Sequence, residues 1–275
     1  MYDIIIIGAG PAGLTAGIYG VRSNKKVLIL EAMSYGGQII NASKIDNYPG
    51  LPHISGVDFA TNLYNQAIEL GVEIKFEKAI DILLKDKNKI VKTNNNEYQT
   101  KTVIIATGTR NKTLGLEEES KYIGRGLSYC VTCDGNFYKN KDVALIGDID
   151  KITTDIEYLN NIVNKLYVID IKTTKITKIN GDKKIESITT NDGKTFNIDG
   201  LFIEIGRIPE SNNLVKNIKL TNTGYVDAKE DTHTNVEGIF VAGDIRDKKL
   251  RQLTTACSDG SNAATEAIKY INTLK

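Results

Sequence analysis

The feature that most constrains this chain is Gly8–Ala9–Gly10–Pro11–Ala12–Gly13, a G-x-G-x-x-G run directly behind the apolar stretch Ile4–Ile7. A glycine turn alone says little, but here the whole context is present. Ile4–Ile7 is unbroken by polar residues, as expected of a parallel strand covered on both faces. Pro11 opens a helical pattern through Tyr19, with proline where a missing N–H costs nothing. Lys26–Leu30 reads as the next strand and ends at Glu31, an acid 23 residues after Gly8. This is the order of a dinucleotide-binding βαβ unit. Gly8 permits the tight turn, Gly10 lets the backbone approach a pyrophosphate, and Gly13 allows close helix–strand packing. The helix N-terminus at Pro11 and Ala12 offers free N–H groups to phosphate. Glu31, followed by Ala32, is placed to accept from ribose hydroxyls.

A second strand–turn–helix–strand unit starts about 140 residues later. Val143–Ile146 reads as strand, Gly147–Asp150 as turn, Thr153–Val163 as helix and Leu166–Ile169 as strand. Hairpin-like segments follow through Phe202, with a turn signal at Asn191–Asp192–Gly193. Val57–Leu70 reads as a helix closed by Gly71, Val103–Ala106 as a strand, Ile239–Asp244 as a strand ending in Gly–Asp, and Thr254–Ile271 as a closing helix of small residues. The expected fold class is α/β, with two nested Rossmann-like domains. Residues 1–112 and 206–275 form the outer one, and 113–205 a truncated central one.

The chain of 275 residues is 41% apolar and 25% charged, with net charge +1, so nothing pulls it toward nucleic acid or a membrane surface. Tyr2–Ile7 is too short to span a bilayer, and no signal-peptide pattern follows Met1. A cytoplasmic location is expected. Three cysteines, two of them in Cys130–Val131–Thr132–Cys133, make no secreted disulfide framework. The C-x-x-C can close a small reducible disulfide. Structural zinc needs four ligands, and only Cys257, His53 and His233 could supplement the pair, so no metal is expected. An inert buried pair is the remaining alternative.

Several segments decide between these readings by resemblance. Gly36–Gly37–Gln38, Asn47–Tyr48–Pro49–Gly50, Ala106–Thr107–Gly108, the run from Thr234 to Asp244 (TNVEGIFVAGD), Arg251–Gln252 and Cys130–Val131–Thr132–Cys133–Asp134–Gly135 occur in the order and spacing of the low-molecular-weight flavin thioredoxin reductases. The resemblance implies FAD in the outer domain, held by the Gly8–Gly13 loop, Glu31, Ala32, Gly37, Gln38, Asn47, Ala106, Thr107, Gly108, Gly243, Asp244, Arg251, Gln252 and Leu253. It implies that Cys133 exchanges electrons with the flavin, that Cys130 attacks the disulfide of thioredoxin, and that Asp134 handles the proton. It also implies a homodimer. Cys257, among Thr254, Thr255, Ala256 and Ser258, reads as a small packing residue.

The second loop departs from the family. The central domain there carries a glycine-rich loop and a basic His-Arg-Arg cluster for NADPH. This chain has Gly147–Asp148–Ile149–Asp150–Lys151–Ile152, and Asp170–Ile171–Lys172 after the next strand. Ile149 obstructs the backbone approach, and two acids lie where phosphates belong. The pattern of FAD and C-x-x-C kept with NADPH motifs lost resembles the ferredoxin-dependent flavin thioredoxin reductases. Reduced ferredoxin is then the expected donor, with Lys248, Lys249, Arg251, Lys172, Lys175 and Lys178 as an expected basic docking patch for an acidic carrier. Three alternatives stand beside it. Asp170 suits NADH, which lacks the extra phosphate. A flavin dithiol oxidase would use the same pair. A flavin-binding regulatory protein would need no turnover.

Overall fold

The computed structural model describes residues 1–210, 214–228 and 230–274. The chain divides into two compact units. Met1–Lys44, Tyr48–Arg110 and Pro209–Lys275 form the first, and Ile45–Asn47 with Asn111–Ile208 the second.

The first unit opens with β1 (Tyr2–Ile7), α1 (Pro11–Arg22) and β2 (Val27–Leu30). β1 and β2 are parallel, from Ile4 opposite Val27 to Ile7 opposite Leu30. The isoleucine run is continuous because both faces are covered. Ile4 and Ile6 pack with Leu14 and Ala16 of α1, while Ile5 and Ile7 pack with Leu28, Ile82 and Val215. α2 (Gly56–Glu69) is capped by Ser55, whose hydroxyl accepts the Asp58 N–H at 3.0 Å. β3 (Glu73–Lys75) extends the edge beyond β2. β4 (Ala79–Lys85), β5 (Asn88–Thr93) and β6 (Glu97–Ile105) form an antiparallel meander, and β6 lies parallel to β1. Only the end of β6 was legible as a strand, since β4 and β5 mix lysine and asparagine into the run.

The chain leaves the first unit through β7 (Thr109–Asn111). In the second unit, β8 (Leu127–Ser128) leads into the short helix α3 (Val131–Asp134). β9 (Asp142–Gly147), α4 (Thr153–Asn160) and β10 (Lys165–Asp170) make the second βαβ unit, with β9 and β10 parallel. β11 (Ile176–Asn180), β12 (Ser187–Thr190) and β13 (Thr195–Asn197) form an antiparallel sheet that turns at Asn191–Gly193. The hairpin reading through Phe202 needs correction. β14 (Gly200–Glu204) is a parallel strand between β9 and β8 in a sheet ordered β10–β9–β14–β8. Phe202 is fully buried there. β15 (Arg207–Pro209) returns and pairs with β7.

Back in the first unit, β16 (Ile239–Val241) joins β6 in parallel. α5 (Leu253–Thr273) starts at Gln252 with a capping box to Thr255. It lies close on α1, since a Cβ at Gly260 would come within 2.2 Å of the Ala12 carbonyl oxygen. No helix among the described residues is long and apolar enough to cross a membrane.

Candidate functional site

In the first unit, α1 begins without a side-chain cap. With Pro11 at its first position, the early N–H groups lack intrahelical partners. Gly8 has φ +108°, and a Cβ there would sit 2.4 Å from the Ala106 carbonyl oxygen, so this glycine is fixed by packing. Gly13 is fixed likewise by the Gly8 carbonyl oxygen. Gly10 differs, because a Cβ there would meet nothing nearer than Gly37 Cα at 4.0 Å. The fold does not require glycine at position 10, and the space it leaves suits a ligand passing close to backbone. Glu31 accepts the Ala9 N–H at 2.7 Å and the Met33 N–H at 2.9 Å, which locks the carboxylate beside the loop. Gly36 donates to the Ala9 carbonyl at 2.8 Å and draws the Gly36–Gln38 turn over it.

The same loop meets the Gly–Asp turn after β16. A Cβ at Gly243 would lie 2.9 Å from Ala12 Cβ. Thr107 Oγ1 donates to the Glu210 carbonyl at 2.7 Å, and the Gly108 carbonyl accepts from the Glu210 N–H. Arg251 donates to the Asp244 carbonyl oxygen at 3.3 Å, and its guanidinium lies 4.0 Å from the centre of the Tyr225 ring. Gln252 and Leu253 follow as the cap and first residue of α5. Gly8, Gly10, Pro11, Ala12, Gly13, Glu31, Gly37, Ala106 and Gly243 thus converge around one helix N-terminus. Asn47 groups with the second unit.

Sequence reasoning missed what holds the Gly243 turn. Asp259, 4% exposed on α5, accepts from the Gly243 N–H at 3.1 Å, from Arg246 at 2.9 Å and from Lys248 Nζ at 2.9 Å. Lys248 was expected on the docking patch, but its side chain is 6% exposed and serves this buried cluster. Arg251 is likewise turned inward to carbonyl oxygens. Lys249, Lys175 and Lys178 remain exposed. The available signal was an acid amid the small residues of Thr254–Ala264. Cys257 is half-buried, and burial pushes its thiol up while hydrogen bonds with Thr15 and Tyr48 oppose the shift.

In the second unit, Cys130 and Cys133 form a disulfide. Cys130 is the N-cap of α3, and its sulfur accepts the Cys133 N–H at 3.2 Å. On reduction a thiolate at this place gains from the helix N-terminus. Ser128 organises the segment. Its Oγ donates to Asp134 Oδ2 at 2.6 Å and accepts the Cys130 N–H at 3.0 Å. Burial lifts the Asp134 carboxyl above the ordinary carboxylate range, with the Ser128 bond working against it. A carboxyl in this state can exchange a proton beside a thiol.

The second loop is closed on itself. Lys172 Nζ lies 2.6 Å from Asp148 and 2.7 Å from Asp150, and Lys151 adds a contact to Asp148 at 3.2 Å. These lysines hold Asp148 below the usual carboxylate range. Ile152, 4% exposed, occupies the place of Gly13. Asp170 accepts the Lys172 N–H at 3.0 Å. The carboxyl ends of the parallel strands, where such folds receive a nucleotide, therefore carry Asp148, Asp150, Asp170 and Glu204.

A nucleotide-type loop in one unit and a redox dithiol in the other define a disulfide oxidoreductase. The chain belongs to the pyridine nucleotide-disulphide oxidoreductase family, whose match covers residues 2–148 and 156–260. Within it the chain is a flavin-dependent, thioredoxin reductase-like disulfide oxidoreductase, with FAD as its cofactor. It is 35% identical to a thioredoxin reductase of Treponema pallidum (strain Nichols), over 100% of this chain and 98% of that one. The thioredoxin reductase structure from Streptococcus pyogenes MGAS5005 matches with a TM-score of 0.92 and 32% identity, over 99% of both chains. A ferredoxin–flavin thioredoxin reductase structure from Clostridium acetobutylicum matches at 29% identity and a TM-score of 0.61, over 99% of this chain and 98% of that one.

Proposed function

We propose that the chain reduces thioredoxin through Cys130 and Cys133 with electrons from reduced ferredoxin, and that NADPH is not its donor. One observation carries the reading: the Asp148–Lys172–Asp150 clasp fills the second loop with its own ion pairs. A dinucleotide would have to break these contacts and then face the carboxylates with its phosphates. Two like charges at ~4 Å repel by about 1 kcal/mol in bulk water and several-fold more near a protein surface.

FAD supplies the ability to take up single electrons and pass on a pair. Gly10, Ala12, Gly13 and Gly243 would hold its diphosphate, Glu31 and Ala32 its ribose end, and Ala106–Gly108 with Gly37, Gln38 and Asp244 the neighbouring atoms. Arg251, Gln252 and Leu253 belong at the flavin ring by family resemblance, and Asn47 completes the set. The α1 N-terminus places partial positive charge toward the phosphates. Once the dithiol is reduced, Cys130 as thiolate attacks one sulfur of the thioredoxin disulfide, and the other sulfur leaves and is protonated. Cys133 then attacks Cys130 Sγ, which restores the disulfide and frees the second thioredoxin thiol. Two electrons and two protons leave together, and Asp134 is the carboxyl placed to pass a proton at Cys133. The working unit is a homodimer in the cytoplasm.

Anaerobic titration of the bound flavin with NADH, NADPH and reduced ferredoxin tests the donor. Bleaching by ferredoxin alone supports the reading, and rapid bleaching by either nucleotide overturns it. Flavin that ferredoxin reduces without later reduction of thioredoxin removes the substrate assignment. A Cys133→Ser variant should trap a mixed disulfide between Cys130 and thioredoxin.

A further inference from the structure

β14 and β8 run parallel with Phe202 opposite Ser128. β14 continues two residues to Glu204, and the chain beyond the end of β8 reaches Cys130, the N-cap of α3, at the same carboxyl edge of the sheet. The Val131 N–H, between the two cysteines, donates to Glu204 Oε1 at 3.4 Å. Asp155, in the first turn of α4, is partly buried and acts on Glu204 as a like charge, while Arg207 of β15 acts as an opposite one. Asp134 has its own partner in Ser128. Nothing in the C-x-x-C-D-G motif calls for a second carboxyl at this place.

We propose that Glu204 is a second proton-holding carboxyl of the dithiol site, a positioning residue that sets the charge beside Cys130 and so the fraction of reactive thiolate. Burial, reinforced by Asp155, pushes Glu204 up to about 7, and the Val131 N–H and Arg207 only partly oppose this. Below that pH the side chain is neutral, and the Cys130 thiolate has no negative neighbour from β14. Above it Glu204 ionises, a second negative charge stands at the α3 N-terminus, and the thiol holds its proton more tightly. The two titrations are coupled. Glu204 gives up no net proton over the exchange, since both protons of the reduced pair leave on the two substrate thiols.

The proposal rests on the dithiol chemistry above and not on the donor. The test therefore uses FAD-loaded protein reduced with dithiothreitol and desalted anaerobically, with iodoacetamide alkylation of Cys130 followed from pH 5.5 to 9.5. In the wild type the rate profile should have two steps, one near pH 7. In Glu204→Gln, whose amide still accepts the Val131 N–H, the step near 7 should vanish and the remaining thiol step should move down by about half a unit or more. Asp155→Asn should lower the first step. Superimposable wild-type and Glu204→Gln profiles overturn the proposal. Wild-type protein labelled with ¹³C-glutamate needs no variant. One carboxyl resonance titrating near 7 supports the proposal, and glutamates confined to the ordinary carboxylate range overturn it. Failure of ferredoxin to reduce the flavin would leave all these readouts unchanged.

Discussion

Lys172 reaches back from the segment after β10 to bind Asp148 at 2.6 Å, at the turn that follows β9. The acid that should repel phosphate is thereby neutralised by the chain itself. The Asp148→Asn/Asp150→Asn variant should gain affinity for NADH or NADPH by about tenfold, and Lys172→Ala, which uncovers Asp150 and leaves Asp148 only its contact with Lys151, should lose what little remains. Calorimetric titration of each variant with nucleotide checks both directions.

Asp259 satisfies the Gly243 N–H and two buried cations at once. Removing it takes their shared carboxylate from the buried Arg246 and Lys248, and loss of one partner of a buried ion pair typically costs about 3–5 kcal/mol. Asp259→Ala is expected to purify with reduced flavin content and to unfold at lower denaturant. Flavin absorbance and the urea midpoint should fall together.

Gly10→Ala separates fold from cofactor. A Cβ at this position meets no atom closer than 4.0 Å, and φ at Gly10 is −77°. The apoprotein should keep its Tm, or gain by about 0.4–1 kcal/mol from a less flexible unfolded chain. Its affinity for FAD, read by flavin fluorescence quenching, should drop at least tenfold. A Gly10→Ala protein that binds FAD normally would remove this glycine from the cofactor site.

Glu204 also carries a stability signature. Its folded value, about 7, stands above the ordinary 4.5, so the folded state holds the proton more tightly than the unfolded chain. The associated stability is fully present below pH 4.5 and is lost as pH rises through 7. By linkage the loss approaches about 3 kcal/mol. Glu204→Gln should therefore match the wild type near pH 4.5 and exceed it increasingly up to pH 8 in chemical denaturation.

Ser128→Ala acts on Asp134 through the same linkage, with the opposite sign for the variant. Burial already raises this carboxyl, and the serine hydroxyl is what favours its charged form. Without it the ionised state loses about 1–3 kcal/mol of support. The variant should be less stable than the wild type throughout, because the Cys130 N–H also loses its acceptor, and the gap should widen as pH rises and Asp134 ionises, a difference visible in Tm measured against pH.

The first βαβ unit could be read from sequence because each of its requirements is local. Four isoleucines, three glycines, a proline and an acid at the next strand end leave little choice. The dithiol was equally plain from Cys130–Cys133–Asp134. What escaped was set by tertiary register. Phe202 lies in a strand whose two faces are both covered, so no alternation told it apart from the hairpins before it. Glu204 became part of the dithiol site only because β14 pairs with β8. Lys248 looked like surface charge, and only the fold around Asp259 makes it interior. β4 and β5 were illegible for a related reason, since Lys89 is just 2% exposed within a stretch that reads as polar.

The clasp between Lys172 and the two aspartates bears on how such a protein would be supplied. A reductase with an open nucleotide loop follows the balance of reduced and oxidised nicotinamide around it. On the proposed function, a loop that carries its own counter-ion is insensitive to that balance. Thiol reduction would then rise and fall with the charging of a small electron carrier, and depletion of NADPH would leave it untouched for as long as the carrier stayed reduced.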